Sequence, residues 1–170
     1  MDTSYTAPFS FLYKNDGLGD FSAVSCALST TRMHALMAVW GDIDQDGDAD
    51  LFVVQAHPST GSGPVQKANL LFRYDGSDTF TQITSGDVVS HSGCGWRNAA
   101  FGDYDNDQKL DLIVSGCSGT ILYKNGGGTF TVATSTGLPA HNSNGDVKGS
   151  SGDYGNAFAD VRTTDSNPHS

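Results

Sequence analysis

Apolar residues in this chain occur in short runs that are separated by turn-forming residues. Residues 51–54 and 112–114 are continuous apolar runs, and residues 35–40 and 97–101 form looser runs ahead of them. Apolar runs of this length, bounded by Gly, Asn and Asp, are typical of buried β-strands rather than of helices. The pattern therefore predicts an all-β protein.

The predicted strands also form hairpins that repeat along the chain. Residues 11–17, 71–76 and 122–127 each combine a short apolar strand with a turn built on Asn, Asp or Gly. The second strands of these hairpins open at Phe21, Phe80 and Phe130. Turns of this composition join antiparallel strands, and their recurrence indicates a repeat architecture.

Two acidic loops lie between the hairpins, and aspartates occupy positions 1, 3, 5 and 9 of each. Loop 1 spans residues 42–50 and loop 2 spans residues 103–111. Carboxylate oxygens at this density predict a site for a hard divalent cation. Calcium takes six to eight oxygen ligands in a flexible shell, so it suits these loops better than magnesium, which requires a strict octahedron.

The spacing of these acids excludes an EF-hand. An EF-hand loop runs for twelve residues and closes with a bidentate glutamate, whereas position 12 is Val53 in loop 1 and Val114 in loop 2. The chain contains no glutamate, so the ninth-position aspartate closes each cage and a strand follows directly. The signal for metal binding is weaker in loop 2, because position 6 is Gly47 in loop 1 but Gln108 in loop 2, and a sharp turn there favours glycine.

One repeat unit therefore consists of strand, acidic loop, strand, turn, strand, turn and strand. Four antiparallel strands per repeat are typical of a β-propeller blade. We predict that residues 1–170 form a single repeat region with two full blades and two partial ones. Its predicted parts are a partial blade at 8–31, blades at 34–85 and 95–136, a loop at 137–152 and the start of a further blade at 153–170.

The start of that further blade is not expected to bind metal. Residues 156–160 repeat the strand that precedes loop 2, but in the loop after them Arg162 and Thr164 stand at positions 3 and 5. Because a cation at position 3 opposes metal binding, the chain is predicted to hold two calcium ions.

The chain has 170 residues and a formal net charge of −10, and its acids are concentrated in the two loops. It offers no basic stripe for nucleic acid, no apolar run long enough for membrane insertion and no evident signal peptide. Extracellular modules bind calcium at about 10⁻⁴–10⁻³ M, so an extracellular or cell-surface location is expected.

The repeats resemble the FG-GAP family, also called VCBS repeats, which occurs in integrin α-subunit propellers and in many secreted proteins. The resemblance lies in both acidic loops with their flanking Gly-Asp and Asp-Leu pairs, and in the Leu-Tyr-Lys-Asn-Gly hairpins. It implies a β-propeller with calcium in the turn between the first two strands of a blade. The implied side-chain ligands are Asp42, Asp44, Asp46 and Asp50 in loop 1, and Asp103, Asp105, Asp107 and Asp111 in loop 2. The implied main-chain ligands are the carbonyls of Asp48 and Lys109 at position 7.

A closed propeller needs at least about four blades, and the predicted blades are fewer. Three explanations stay open: the chain is part of a longer propeller, it closes a ring with other copies, or its ends join head to tail as a homo-oligomer or filament. The expected partners are therefore other protein chains or the rest of a longer propeller.

The leading hypothesis is a calcium-stabilised adhesion, recognition or scaffold module. The resemblance also leaves open a lectin that binds glycans, with Trp96, Tyr74 and Tyr104 as candidate stacking residues, or a non-catalytic part of a larger secreted enzyme. No nucleophile elbow, His-Glu-x-x-His motif or phosphate loop occurs, and the five histidines are scattered. The chain is therefore predicted not to be an enzyme, and no catalytic residue is assigned.

The cysteines number three, which leaves at least one of them unpaired within the chain. Cys94 and Cys117 flank loop 2 and its two strands at similar distances, so a disulfide between them and a pair of buried thiols are the alternatives. Cys26 has no evident partner in the sequence.

Overall fold

The structure is a computed structural model, and it describes residues 10–31, 33–55, 68–90, 96–116 and 119–134. The described part contains ten β-strands and two short helices. In chain order the elements are β1 (Leu12–Asn15), β2 (Phe21–Val24), α1 (Ala27–Thr30), β3 (Ala35–Gly41), β4 (Asp50–Gln55), β5 (Leu70–Tyr74), β6 (Phe80–Ile83), α2 (Asp87–Ser90), β7 (Trp96–Gly102), β8 (Asp111–Gly116), β9 (Gly119–Asn125) and β10 (Phe130–Val132).

The strands form three antiparallel sheets. β1 and β2 make a two-stranded sheet, and two four-stranded sheets come after it, with β3 to β6 in one and β7 to β10 in the other, each in chain order. The predicted all-β class with blade-like four-stranded sheets is confirmed. The strand after each acidic loop is an inner strand of its sheet, because β4 pairs with β3 and β5, and β8 pairs with β7 and β9.

Strand β4 is buried on both faces, which explains its continuous apolar sequence. All six of its residues are buried. Because side chains alternate along a strand, Phe52 and Val54 join one apolar cluster while Leu51 and Val53 join another. A strand with one polar face could not fill both clusters. The sheet built around β4 therefore packs on two sides.

The first cluster lies between the two four-stranded sheets. Its fully buried members are Ile43, Phe52, Val54, Leu71, Val88, Trp96, Ala99, Leu112, Val114, Ile121, Tyr123 and Phe130. Strand β3, the first of one sheet, also contacts β7, the first of the other. The two sheets thus share one core and stack face to face, as neighbouring blades do.

The second cluster covers the opposite face of the β4 sheet. It combines Leu51, Val53, Phe72 and Phe80 of that sheet with Leu28 of α1 and with Met33, and Leu12 of β1 packs at its margin. The β4 sheet is therefore enclosed between the second large sheet on one side and the α1 and β1 region on the other.

The two single-turn helices were not predicted from the sequence. They stand at equivalent places, α1 before β3 and α2 before β7, and each buries one residue, Leu28 or Val88. α1 lies against β6 and α2 against β10. Four residues are too few to display a helical period, so the pattern could not reveal them. Neither helix has the length or apolar character needed to cross a bilayer.

Several predictions fall on residues outside the described ranges. These are the alternatives for Cys94 and Cys117, the loop at 137–152 and the further blade at 153–170. The predicted division into blades stays a prediction, because its boundaries include such residues. Cys26 is described, and it is a half-buried free thiol.

The shared core between the sheets can be tested at Phe52, which is fully buried. Phe52→Ala is expected to lower the free energy of unfolding by about 3–5 kcal/mol, because the lost ring leaves a cavity between the sheets. The control Thr131→Ala, at an exposed position of β10, should change it by less than about 0.5 kcal/mol. Urea unfolding measures both, and a similar effect of the two variants would contradict a shared core.

Candidate metal centres

The two acidic loops connect the first and second strands of the two large sheets. Loop 1 joins β3 to β4, and loop 2 joins β7 to β8. Each loop connects the last pair of residues in the two strands beside it. This pair is Gly41 with Asp50 for loop 1 and Gly102 with Asp111 for loop 2. The antiparallel pairing therefore brings loop positions 1 and 9 close together.

The aspartate at position 1 shapes each loop by accepting hydrogen bonds from the loop's own backbone. The carboxylate of Asp42 accepts from the main-chain N–H groups of Asp46 and Gly47, both at 3.1 Å. In loop 2 the equivalent N–H groups donate to Asp103 at 3.2 and 3.0 Å. Both loops thus wrap around their first carboxylate in the same way.

The aspartate at position 9 is fully buried and ties its loop to the third strand of the sheet. Asp50 accepts a hydrogen bond from the N–H of Ile43 at 2.9 Å and another from the N–H of Tyr74, in β5, at 2.8 Å. Asp111 accepts an equivalent loop N–H at 3.0 Å and the N–H of Asn125, in β9, at 2.8 Å. Each of these carboxylates joins the loop, the second strand and the third strand.

Burial raises the pKa of both Asp50 and Asp111 above the usual aspartate value. The charges of the neighbouring loop carboxylates raise the pKa further, while the main-chain N–H donors act in the opposite direction. The raised pKa means that the ionised carboxylates are less stable here than in water. A cation held nearby would reverse that effect.

Three carboxylates converge in each loop. Positions 1, 3 and 9 supply one oxygen each, and the three oxygens lie within 4.8 Å of one another. The residues are Asp42, Asp44 and Asp50 in loop 1 and Asp103, Asp105 and Asp111 in loop 2. Oxygens that ligate calcium at 2.3–2.6 Å are at most about 5 Å apart, and both clusters satisfy that limit.

One oxygen of loop 1 is buried without a hydrogen-bond partner. This atom is Oδ1 of Asp44. An unpartnered buried oxygen is unfavourable, and more so on an ionised group. A calcium ion among the three carboxylates would supply the missing positive charge, so the residues of loop 1 fit such an ion.

Positions 5 and 7 lie outside these three-oxygen clusters. Asp46 and Asp107 each use one carboxylate oxygen to accept the N–H of position 7, at 2.9 and 3.0 Å. The predicted roles of Asp46 and Asp107 as side-chain ligands therefore stay predictions. The same holds for the carbonyls of Asp48 and Lys109.

Both loops contain left-handed residues at positions 4 and 6. In loop 1, φ is 65° at Gln45 and 95° at Gly47, and in loop 2 it is 61° at Asn106 and 70° at Gln108. The expected positive φ at position 6 is observed, and position 4 was missed. At position 6 glycine adopts this conformation without steric strain and Gln108 does not, whereas at position 4 Asn106 tolerates it better than Gln45. Each loop therefore has one strained glutamine, at position 4 in loop 1 and at position 6 in loop 2.

A lysine from the neighbouring hairpin reaches loop 2. The Nζ of Lys124, in β9, contacts the carboxylate of Asp105 and lies 3.2 Å from Oδ2 of Asp107. Hydrogen bonds to these two carboxylates raise the pKa of Lys124 above its usual range. Lys109 Nζ adds a third contact, 3.3 Å from Oδ2 of Asp107.

Asn125 links the two loops, although the sequence indicated only a turn-forming role. Its Nδ2 donates to the carbonyl of Ile43 in loop 1 at 2.7 Å and to that of Leu110 in loop 2 at 3.0 Å. Its Oδ1 accepts the N–H groups of Gly127 and Gly128, both at 2.8 Å. Because Asn125 is fully buried, water cannot replace it as a partner.

The available signal for Asn125 was the repeated hairpin. Asn15 stands at the equivalent place in the first hairpin and accepts the N–H of Gly17 at 2.6 Å. That comparison identifies the turn but not the bonds to the loops. The bond to loop 1 joins residues 82 positions apart, and a second direct link runs from Nε2 of Gln45 to the carbonyl of Gln108 at 2.8 Å.

Two of the three candidate sugar-stacking residues pack against other parts of the protein. Trp96 is buried, so its ring is not available to a sugar. The ring of Tyr74 packs on Phe80, with centroids 4.9 Å apart. Tyr104 is half-buried in loop 2.

The chain was also compared with known proteins. Residues 59–114 match the family model described as FG-GAP-like repeat. No curated protein and no solved structure matches the chain. The matched segment contains all of loop 2 and lies outside loop 1. The expected resemblance to FG-GAP repeats is thereby confirmed.

The link between the loops can be tested by Asn125→Ala. This change is expected to lower the free energy of unfolding by about 2–4 kcal/mol, because the carbonyl of Leu110 loses its bond to Asn125, that of Ile43 keeps only the N–H of Gly128, and a turn loses its acceptor. Asn15→Ala, in the exposed equivalent turn, should lower it by about 1 kcal/mol or less. Guanidinium unfolding in the presence of chelator measures both variants. Equal losses would show that Asn125 stabilises only its own turn.

Proposed function

We propose that this protein, which carries an FG-GAP-like repeat at residues 59–114, is a calcium-binding β-propeller module with a structural, adhesion or recognition role outside the cell. Repeats of this family are generally non-catalytic, and we assign no enzymatic role. The observation that carries the proposal is the convergence of three carboxylates in each of two equivalent loops. The buried and unpartnered oxygen of Asp44 supports it.

The proposed role of calcium is to hold strands together. The carboxylates of one loop repel each other, and calcium would replace that repulsion by attraction to a common ion. Because Asp50 is bonded to loop 1 and to Tyr74 of β5, fixing its carboxylate would fix the first three strands of the sheet. Asp111 and Asn125 provide the same connection in loop 2.

Calcium binding should be visible as thermal stabilisation. At calcium concentrations about 100-fold above the dissociation constant, each occupied site stabilises the protein by about 2.7 kcal/mol, which corresponds to a rise in Tm of roughly 5–10 °C per site for a chain of this size. Magnesium at the same concentration should give a smaller rise, since it requires a stricter geometry. Scanning calorimetry with calcium, magnesium or chelator measures the effect, and equal Tm values in calcium and chelator would contradict the proposal.

Two variants of loop 1 distinguish ligation from general charge. Asp44→Asn should weaken calcium binding at loop 1 by about tenfold or more, because it removes a charged ligand. Asp48→Asn removes the same charge from an exposed side chain that is predicted to contribute only its carbonyl, so it should have a much smaller effect. Isothermal titration calorimetry measures both. Equal weakening by the two variants would indicate non-specific attraction of calcium to an acidic surface.

We also propose that the open edge of β1 pairs with a further strand. Among the described residues β1 pairs only with β2, whereas the equivalent strands β5 and β9 each have two neighbours. Large apolar side chains are exposed in and around β1 and β2, at Phe11, Tyr13, Leu18 and Phe21, and the exposed ring of Trp40 in β3 lies beside them. Open strand edges with exposed apolar residues favour association. The further strand comes from another copy of the chain or from the rest of a longer propeller.

Light scattering after size exclusion separates these two sources. If a second copy supplies the strand, the measured mass exceeds the 17.8 kDa of one chain, and Tyr13→Lys on β1 reduces it because a charge blocks the edge. The control Thr131→Lys, at an exposed position of β10, should leave the mass unchanged. A single-chain mass with calcium and with chelator would contradict assembly between copies.

A further inference from the structure

The two loops differ in whether a cationic side chain from the third strand of the sheet forms an ion pair with them. Phe72 and Tyr123 stand at equivalent places, because each pairs with the second residue of the strand after its loop, Leu51 or Leu112. Arg73 and Lys124 come next in the sequence and are therefore equivalent as well. Both are cations, but only Lys124 forms an ion pair with its own acidic loop.

A neighbouring acid holds Arg73 outside loop 1. Nε and Nη2 of Arg73 both lie 2.7 Å from Oδ1 of Asp75. The other oxygen of Asp75 accepts a hydrogen bond from Thr81 at 2.5 Å, so this carboxylate is fixed in place. The arginine is thus directed towards the hairpin turn.

The second sheet has no acid at that place. Asp75 and Gly126 are equivalent, because each donates its N–H to the threonine carbonyl that closes its turn, at 2.9 and 2.8 Å. Without a carboxylate in the turn, Lys124 reaches Asp105 and Asp107 instead. The different position of the two cations thus coincides with the presence of an acid in one turn and a glycine in the other.

The position-3 carboxylates show the result of this difference. Oδ1 of Asp44 in loop 1 is buried and has no hydrogen-bond partner. The equivalent Asp105 in loop 2 is bound to the ammonium group of Lys124. Among the described residues no cation pairs directly with position 3 of loop 1, where Arg73 acts on Asp44 only at longer range, whereas Lys124 pairs directly with position 3 of loop 2.

We propose that Lys124 is a built-in counterion of loop 2, which calcium must displace, so that loop 1 is the stronger calcium site of the two. This inference rests on the proposed calcium binding and adds the reason why the two sites differ. It is separate from the backbone strain at Gln108, since a change of Lys124 leaves that φ unchanged. The side chain of Lys124 is 42% exposed, so its ion pairs are moderate in strength, and removing them should tighten binding at loop 2 by about three- to tenfold.

The test measures each loop separately by calorimetric calcium titration. Asp44→Asn removes a loop 1 ligand, so that loop 2 dominates the remaining binding, and Lys124→Met is then added. The expected result is a dissociation constant for loop 2 that is about three- to tenfold lower. Lys124→Gln provides a second neutral variant, and Lys124→Arg, which keeps the charge, should leave the constant nearly unchanged.

The matched control uses loop 1. In an Asp105→Asn background, Arg73→Met removes the same charge from the equivalent strand position, but Arg73 is bound to Asp75, so calcium binding at loop 1 should change less than about twofold. If neutral variants of Lys124 leave the calcium affinity of loop 2 unchanged, the counterion proposal is overturned while calcium binding stands. The same holds if Arg73→Met tightens calcium binding at loop 1 by an equal factor. If no variant and no wild-type protein binds calcium, the proposed function fails and this inference fails with it.

Discussion

Each acidic loop ends at a buried aspartate, and the rest of the structure depends on how that carboxylate is stabilised. An ionised carboxylate in a buried place is strongly unfavourable unless hydrogen bonds or opposite charges compensate for lost hydration. Asp50 and Asp111 receive two main-chain N–H bonds each, from the loop and from the third strand. Their raised pKa values indicate that these bonds compensate only in part. Each buried carboxylate thus ties its loop to the third strand of the sheet, and its incomplete compensation underlies the proposed need for calcium.

The two repeats are also connected by polar contacts near their loops. Asn125 bonds to carbonyls of both loops, and Gln45 of loop 1 bonds to the backbone of loop 2. The apolar cluster between the two four-stranded sheets provides a second connection between the repeats. In repeat proteins the contacts between neighbouring units contribute much of the stability. The loops are therefore part of the interface between the sheets as well as candidate metal sites.

Local sequence was enough to predict the strands, the hairpins and the loops. The continuous apolar run at residues 51–54 indicated a buried strand, and β4 is such a strand. Glycine at position 6 indicated a left-handed residue, which Gly47 and Gln108 both are. These features depend on neighbouring residues, so a single sequence can display them.

The features that the sequence did not reveal are contacts between residues far apart in the chain and helices too short to show a periodic pattern. The bonds from Asn125 to loop 1 and from Lys124 to loop 2 cross between elements, and nothing near these residues in the sequence specifies them. The helices α1 and α2 have one turn each, which is too short for a periodic signal. Trp96 was considered as a binding residue because of its type, but its burial depends on the packing of two sheets.

The most direct test of calcium binding in these loops is a crystal structure of the protein grown with calcium, with the ion located by its anomalous scattering. We predict a strong peak in loop 1 in contact with Oδ1 of Asp44, and a weaker peak in loop 2, where Lys124 has moved away from Asp105. Crystals grown in about 10 mM calcium, well above the range for extracellular sites, that show no ion in loop 1 would contradict it.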